Sequence, residues 1–223
     1  MPKTHLLSES VEEYLEAIHR LGEDASGAST TSLARRLNVT PASVTGMLRR
    51  LRELGFISYH RYREIALTDE GQQHAHDLIR RHRLAERLLT DILKVPLSEA
   101  HDEACRLEHV VSPQLEQRIS DALGAPEACP HGHPIELHAP DRTLSLLTAP
   151  LNVPLLVARL NNESSEVLRH LGEQGLLPGV EVVVRGRSTA AGTVVLESAG
   201  ETRTLGLAIA ETIRVHPPRG RRT

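Results

Sequence analysis

The pattern of apolar and polar positions in the first third of the chain predicts three short helices and a small hairpin. Apolar residues recur with a helical period between Val11 and Leu21, just after Ser10, and serine commonly caps helices. The stretches TTSLARRLNV and TPASVTGMLRRLRELGF predict two further helices separated by a tight turn. In ISYHRYREIALT, β-branched and aromatic residues surround a charged centre, which indicates a hairpin.

The middle of the chain shows a helical pattern. An apolar stripe runs from Leu78 to Ile92, and Pro96 ends that helix. A further helix is predicted after Ser98, and another near Pro113. The segment CPHGHPIELHAPDRT contains three prolines and has no periodicity, which indicates a linker.

The last third of the chain is predicted to form a small antiparallel β-barrel. It contains the apolar runs LLVARL, VEVVVRGRS, GTVVLES and LAIAETIRV, separated by turns that contain glycine. The stretch ESSEVLRHLGEQG is the one helix predicted in this region.

The two central helices of the first region match a helix-turn-helix. Thr40 is placed to cap the second helix, and Pro41 stands in its first turn. Between residues 33 and 64, seven arginines stand against two glutamates, although the whole chain has a net charge of −3. Because such a basic patch is typical of a phosphate-facing surface, we interpret this region as a winged helix that binds DNA. The residues expected at this interface are Arg35, Thr40, Pro41, Ala42, Ser43, Thr45, Arg49, Arg50, Tyr59 and Arg61.

A second kind of chemistry is indicated by the stretch HDEACRLEH. At about 100° per residue, four of its side chains project from one face of a helix. These are His101, Cys105, Glu108 and His109.

Two other predicted helices carry similar pairs. His82 and Glu86 stand four residues apart, and Glu13 and Glu16 stand three apart on the first helix. A mixed set of imidazole, carboxylate and thiolate groups suits a divalent first-row metal such as Mn, Fe, Co, Ni or Zn. The chain has no HExxH or CxxC motif, which argues against a zincin or a structural zinc finger.

Three alternatives stay open at this point. The histidines could be core residues and the carboxylates a solvated face. A winged-helix regulator could instead respond to an organic ligand. A metallohydrolase is the enzyme alternative, because an open metal site can activate water; no separate base or substrate cleft is evident, and we expect no catalytic residues.

The entire chain resembles the metal-dependent repressors related to the diphtheria toxin repressor and the manganese transport regulators. The resemblance is densest in HRLAERLLTDIL (82–93) and HDEACRLEH (101–109). It implies an α+β multi-domain architecture. The implied parts are a winged helix-turn-helix at 1–73, a helical dimerisation and metal-binding domain at 74–138, an SH3-like (FeoA-type) small β-barrel at 139–217, and a basic tail at 218–223.

The resemblance also implies two metal sites in each subunit. Its primary site corresponds here to Glu13, Glu16, Cys105, Glu108 and His109. Its ancillary site corresponds to His82, Glu86 and His101, completed by Glu163 or Glu166.

The primary set mixes the patterns of the two branches of the family. Where Glu13 stands the iron-type pattern has methionine, whereas the manganese regulators have carboxylates at the positions of Glu13 and Glu16. Those regulators usually also have a carboxylate where Cys105 stands. Hard carboxylates favour Mn²⁺ and a thiolate favours Fe²⁺ or softer ions, so we expect Mn²⁺, with Fe²⁺ as the alternative.

The expected function is therefore a metal-activated homodimeric regulator. It would bind a palindromic operator in double-stranded DNA and control genes of metal uptake and homeostasis. We expect a soluble cytoplasmic protein with no membrane partner, since the longest apolar run is interrupted by Pro150 and Pro154 and the first residues do not form a signal peptide. Cys129, His131 and His133 are expected to lie unliganded in the linker.

Overall fold

The computed structural model describes residues 7–22, 27–58, 65–137 and 141–218. They form two compact units, one containing the residues up to His82 together with 108–111, the other containing 83–107 and the residues from Ser112 onward. The predicted DNA-binding residues Tyr59 and Arg61, and the tail after residue 218, lie outside the described residues. No described helix is both long and apolar enough to cross a membrane.

The first unit begins with three helices and a hairpin, as the apolar pattern predicts. Helices α1 (Glu9–Gly22), α2 (Thr30–Arg36) and α3 (Pro41–Glu53) precede the antiparallel strands β1 (Ile57–Ser58) and β2 (Ala66–Leu67). Their apolar faces form one core, which includes Leu15, Leu33, Val44, Leu48 and Leu51. The predicted helix-turn-helix is confirmed.

The turn between α2 and α3 is built from local signals. Asn38 adopts a left-handed backbone conformation with φ of 52°, which asparagine tolerates better than most residues. The hydroxyl of Thr40 accepts a hydrogen bond from the backbone N–H of Ser43, and Pro41 occupies the first helical position. These signals set where the second helix of the motif begins.

The long helix α4 (Asp69–Arg87) continues into a single π-helical turn, Leu88–Ile92. In the second unit, α5 (Leu97–Leu107) and α6 (Pro113–Ala122) follow. Ala100 and Ala104 are fully buried and pack against Ala85 and Leu89. Small side chains at this contact allow α5 to lie close to the end of α4.

The second unit also contains a six-stranded antiparallel sheet. The strands lie in the order β3-β8-β4-β5-β6-β7. Helix α7 (Ser165–Glu173), between β4 and β5, packs against α5. The strands are β3 (Leu144–Ser145), β4 (Pro154–Leu160), β5 (Glu181–Ser188), β6 (Thr193–Ser198), β7 (Glu201–Gly206) and β8 (Ile213–His216). The predicted antiparallel fold of this region is confirmed.

Two features of the second unit differ from the sequence-based expectation. The first half of the run LAIAETIRV is not a strand but the short helix α8 (Leu207–Thr212). A run of four apolar residues cannot be assigned to helix or strand by its period, and burial of Ala210 against the sheet core favours the helix. The second difference is that the predicted linker holds a buried turn, in which Cys129 and His131 are almost fully buried.

Candidate metal centre

The first group of candidate ligands lies in the first unit, around the turn that follows α5. Nδ1 of His82 is 2.5 Å from Oε2 of Glu108, and both side chains are buried. Burial raises the pKa of Glu108 above its usual value, although the hydrogen bond from His82 acts in the opposite direction. An ionised carboxylate only accepts hydrogen bonds, so Nδ1 of His82 carries the proton and its Nε2 offers a lone pair.

The neighbouring histidine is held in a similar way. Nδ1 of His109 is 2.7 Å from Oε2 of Glu12, which lies on α1. Nε2 of His109 is 3.5 Å from Oε1 of Glu108. The ring therefore presents one nitrogen to α1 and the other to the carboxylate that His82 also contacts.

Helix α1 brings further carboxylates to this turn. Single ligand atoms of Glu9, Glu13 and His109 lie within 4.8 Å of one another. Glu16, one helical turn after Glu13, forms an ion pair with Arg20 at 2.7 Å. Burial would raise the pKa of Glu16, but the charge of Arg20 and its hydrogen bond to the carboxylate lower that pKa below its usual value.

The structure thus groups four of the five predicted primary ligands in one compact unit: Glu13, Glu16, Glu108 and His109. The fifth, Cys105, belongs to the second unit, where its Sγ is 3.7 Å from Nε2 of His101. His82, which the resemblance assigns to the ancillary set, contacts Glu108 of the primary set.

The second group of candidate ligands lies in the second unit. Nδ1 of His101 is 3.4 Å from a carboxylate oxygen of Glu86 and 3.4 Å from one of Glu163. All three residues offer ligand atoms within 4.8 Å of one another. Of the two acidic residues predicted from the barrel, the structure places Glu163 in this group, whereas Glu166 is exposed in the first turn of α7.

The predicted linker contributes two more donors at the same place. Glu86, Cys129 and His131 also have ligand atoms within 4.8 Å of one another, and all three are buried. Nδ1 of His131 is 3.0 Å from Oε1 of Glu86 but without hydrogen-bond geometry, and neither ring nitrogen has a hydrogen-bond partner among the described residues. Burial, reinforced by Glu86, raises the pKa of the Cys129 thiol well above its usual value.

Unsatisfied buried nitrogen atoms are costly, because a buried polar group normally has a partner. A divalent cation would satisfy His131 and at the same time neutralise Glu86. Imidazole, carboxylate and thiolate are all ligands of first-row divalent metals. The residues present therefore fit a metal ion.

A glycine allows the turn to hold these donors. Gly132 has a φ of +88°, and a Cβ atom there would lie 2.0 Å from the carbonyl oxygen of Ala158 on β4. The backbone N–H of Leu160 donates to the carbonyl oxygen of His131, and Nε2 of His133 donates to that of Leu160. Burial lowers the pKa of His133 to about 4, against the opposing effect of Glu163, so this ring is neutral at pH 7.

The DNA-facing residues predicted on α2 and α3 are exposed wherever the structure describes them. Thr40, Pro41, Ala42, Ser43, Thr45, Arg49 and Arg50 are all exposed, as is Arg35 on α2. Val44 and Leu48 point inward and are buried. The outward face of α3 is therefore polar and basic, as a helix that enters a major groove requires.

Three family models together match most of the chain. The family model for the N-terminal DNA-binding domain of iron-dependent repressors matches residues 6–65. The model for the metal-binding and dimerisation domain of the same repressors matches residues 68–137, and that for the FeoA domain matches residues 144–217.

Individual relatives agree. The chain is 30% identical to the diphtheria toxin repressor of Corynebacterium glutamicum over 96% of its own length and 99% of that protein. It is 31% identical to the iron-dependent repressor IdeR of Mycobacterium tuberculosis, over 94% and 97% of the two chains.

Solved structures give the same result. A manganese-dependent transcriptional repressor in complex with manganese superposes with a TM-score of 0.85 at 30% identity, over 93% of this chain and all of that one. ScaR with bound Cd²⁺ superposes with a TM-score of 0.81 at 30% identity, over 93% and 99% of the chains. The chain therefore belongs to the diphtheria toxin repressor and manganese transport regulator family of metal-dependent, DNA-binding transcriptional repressors.

Proposed function

We propose that this repressor is activated by Mn²⁺, acts as a homodimer, and binds a palindromic operator to control genes of metal uptake and homeostasis. The observation that carries the proposal is the group of carboxylates and imidazoles around Glu108 and His109. Oxygen-rich sets favour Mn²⁺ among the first-row ions that the family uses. Fe²⁺ is the alternative, because thiols at Cys105 and Cys129 suit it better.

The proposed primary site consists of Glu13, Glu16, Cys105, Glu108 and His109. A bound cation would supply positive charge among carboxylates that otherwise repel one another. Glu13 and Glu16 lie on α1, which packs against the helix-turn-helix core. Shared ligation by α1 and by the turn at Glu108 would favour the ordered arrangement of this unit over less ordered ones.

The proposed second site contains Glu86, His101 and Glu163. Cys129 and His131 are proposed as further donors, contrary to the expectation from the sequence that they lie unliganded. The support is the burial of Glu86, Cys129 and His131 together with the unsatisfied ring of His131. This makes two ions per subunit. Glu163 rather than Glu166 is proposed as the acidic ligand from the sheet region, because only Glu163 lies near His101.

The homodimer is supported by apolar side chains left exposed in the second unit. Ile92, Leu93 and Leu115 expose 54%, 59% and 46% of their surfaces, and apolar side chains that are exposed together mark protein–protein contacts. A twofold dimer presents two copies of α3, and these match half-sites related by the same symmetry. The operator is therefore proposed to be palindromic.

The deciding experiment is a titration of operator binding with separate metals. A duplex selected from a random pool in the presence of Mn²⁺ would be labelled, and its fluorescence anisotropy followed with Mn²⁺, Fe²⁺ or Zn²⁺ under anaerobic conditions. We expect Mn²⁺ to activate operator binding at concentrations that lie within the cellular range for that metal. Operator binding that is unchanged after chelation would reject the proposal of metal activation. Activation by Fe²⁺ alone would identify iron, not manganese, as the activating metal.

A further inference from the structure

We propose that Glu12 is a positioning residue of the primary metal site, which orients His109 without itself binding the ion. The inference rests on the proposed role of His109 as a metal ligand. Glu12 stands next to Glu13 on α1 but differs from it in its surroundings, since Glu12 is 8% exposed and Glu13 is open to solvent. Successive residues of a helix point about 100° apart, so the two carboxylates serve different neighbours.

Glu12 determines which ring nitrogen of His109 carries the proton. Oε2 of Glu12 is 2.7 Å from Nδ1 of His109, and both side chains are only 10% exposed. Because the carboxylate accepts and cannot donate, the hydrogen of the ring is held on Nδ1. Nε2 is then left with its lone pair, on the side where Oε1 of Glu108 lies 3.5 Å away. A hydrogen bond to the non-ligating nitrogen both selects the tautomer and fixes the plane of a metal-binding ring.

The other oxygen of Glu12 contacts Arg81. Nη2 of Arg81 lies 3.3 Å from Oε1, while Nη1 of the same guanidinium donates to the backbone carbonyl of Glu108 at 3.0 Å. Arg81 thus connects Glu12 to the residue that precedes His109. His109 and Arg81 therefore hold the two oxygens of the Glu12 carboxylate. The contact of Arg81 with Glu108 also fixes the backbone of the turn that carries the ligands.

Glu12 and Glu13 differ in whether their carboxylates are free to bind an ion. Both oxygens of Glu12 already have charged or polar partners, whereas Glu13 is exposed and offers a ligand atom near Glu9 and His109. Recruiting Glu12 as a ligand would break its contact with His109 or with Arg81. Glu13 needs no such rearrangement. The two adjacent glutamates of α1 therefore have different roles: Glu13 binds the ion and Glu12 orients His109.

The test compares Glu12→Gln and Glu12→Ala with the native chain, using Mn²⁺ as the probe. A carboxamide oxygen still accepts a hydrogen bond from Nδ1–H, whereas alanine offers no acceptor. Affinity for Mn²⁺, measured by competition with a fluorescent chelator, is expected to fall in the order native, glutamine, alanine. The loss for alanine should be about 10- to 100-fold, as for other partners of metal-bound histidines. Glu70→Gln removes an exposed glutamate from α4 in the same unit and should leave the affinity unchanged.

A second measurement reports the tautomer directly. Long-range ¹H–¹⁵N correlation spectra of the metal-free protein, at about pH 8.5 where an ordinary imidazole is neutral, should show the proton of His109 on Nδ1. Glu12→Ala should move part of that population to Nε2–H, an effect that general destabilisation would not produce. If the alanine variant does not fold, the glutamine variant still tests the order of affinities.

Three outcomes would overturn the inference. They are native Mn²⁺ affinity in both variants, an unchanged tautomer in the folded alanine variant, or a manganese-bound crystal structure in which Glu12 is bonded to the ion. Failure of the native chain to bind Mn²⁺ at all would instead reject the proposed function. The two failures are therefore distinguishable.

Discussion

Nδ1 of His82 and Oε2 of Glu108 lie 2.5 Å apart, and each side chain is only 3% exposed. These residues are 26 positions apart in the chain, yet they form a buried hydrogen-bonded pair beside His109. The pair shows that part of the primary site is organised by contacts between the candidate ligands themselves. Its two members should therefore contribute to the stability of the metal-free protein as well as to metal binding.

Replacing Glu108 with alanine should destabilise the metal-free chain by about 1–3 kcal/mol, because the N–H of His82 would be buried without its acceptor. Chemical denaturation in the presence of a chelator measures this change. A double-mutant cycle with His82→Ala isolates the pair, and a coupling energy of about 0.5–3 kcal/mol is expected. Strictly additive effects would show that the contact contributes nothing to stability.

Replacing Glu13 with alanine should instead leave the stability of the metal-free protein almost unchanged and abolish the response to metal. Glu13 is exposed, so the free energy of unfolding of the metal-free protein should change by less than about 0.5 kcal/mol. Metal-dependent operator binding should be lost, because α1 would lack the carboxylate proposed to share the ion with His109. Anisotropy with labelled operator and light scattering together test this, since the dimer should persist. A Glu13→Ala variant with an intact metal response would exclude Glu13 from the site, and Glu70→Ala serves as the charge-matched control.

The helix-turn-helix and the helices that carry the candidate ligands of α4 and α5 could be predicted because their signals are local. A cap at Thr40, a proline at position 41 and ligands at helical spacing depend on neighbours within one or two turns. The role of Glu12 could not be separated from that of Glu13 by spacing alone, since both adjoin the acidic face of α1. Their difference comes from Arg81 and His109, which the fold brings to one of them and not to the other.

The buried turn at Cys129 and His131 could not be predicted from periodicity, because a turn has none. The signal in the sequence is a high density of potential metal ligands: one thiol and two imidazoles lie within five residues, around a glycine. These donors are brought to Glu86 by the packing of Gly132 against β4 and by the burial of Glu86 beside His131. Both are tertiary contacts between segments distant in the chain, and a single sequence does not report them.

The two cysteines should differ in their effect on the second site. Cys129→Ser should remove the sulfur donor from a buried group of three donors, and the metal content should fall from two ions per subunit towards one. Stabilisation by saturating Mn²⁺, about 2.7 kcal/mol for a site at 100 times its Kd, should shrink accordingly. Elemental analysis and thermal unfolding with and without metal measure the two effects.

Cys105→Ser provides the matched comparison for that experiment. Cys105 is proposed for the primary site, so its replacement should weaken operator activation while the second ion stays bound. If Cys129→Ser retained two ions with native affinity, the turn at residues 129–133 would be a structural element without a metal. In that case, the change that Cys129→Ser causes in the stability of the metal-free protein measures only the packing of this turn.

Arg49 and Arg50 are exposed on the outward side of α3 and are proposed to contact DNA. Replacing either with alanine should weaken operator binding and, for a phosphate contact, reduce the slope of log K against log salt by about 0.9. Arg118→Ala, at an exposed arginine on α6, should leave both quantities unchanged. A variant with reduced affinity and an unchanged slope would indicate a base contact, and two variants with native binding would exclude this face of α3.

The acid stability of the second unit should depend on Asp141. Its carboxylate accepts hydrogen bonds from the backbone and hydroxyl of Thr143 and forms an ion pair with Arg159 at 2.5 Å, with Arg214 at 3.5 Å. Burial would raise the pKa of Asp141, but the hydrogen bonds from Thr143 and the two guanidinium groups lower it below its usual value.

Because the folded pKa of Asp141 is the lower one, its contribution to stability is complete above the unfolded value of about 3.9. It is lost as pH falls through the folded value. Asp141→Asn should therefore lower the free energy of unfolding near neutral pH by no more than about 1 kcal/mol, since the ion pairs are partly exposed, and the difference from the native chain should disappear in strong acid. Denaturation at a series of pH values in the presence of a chelator measures this, with Asp102→Asn on α5 as the control. A native-like pH profile for Asp141→Asn would mean that the strands carrying Arg159 and Arg214 do not depend on this carboxylate.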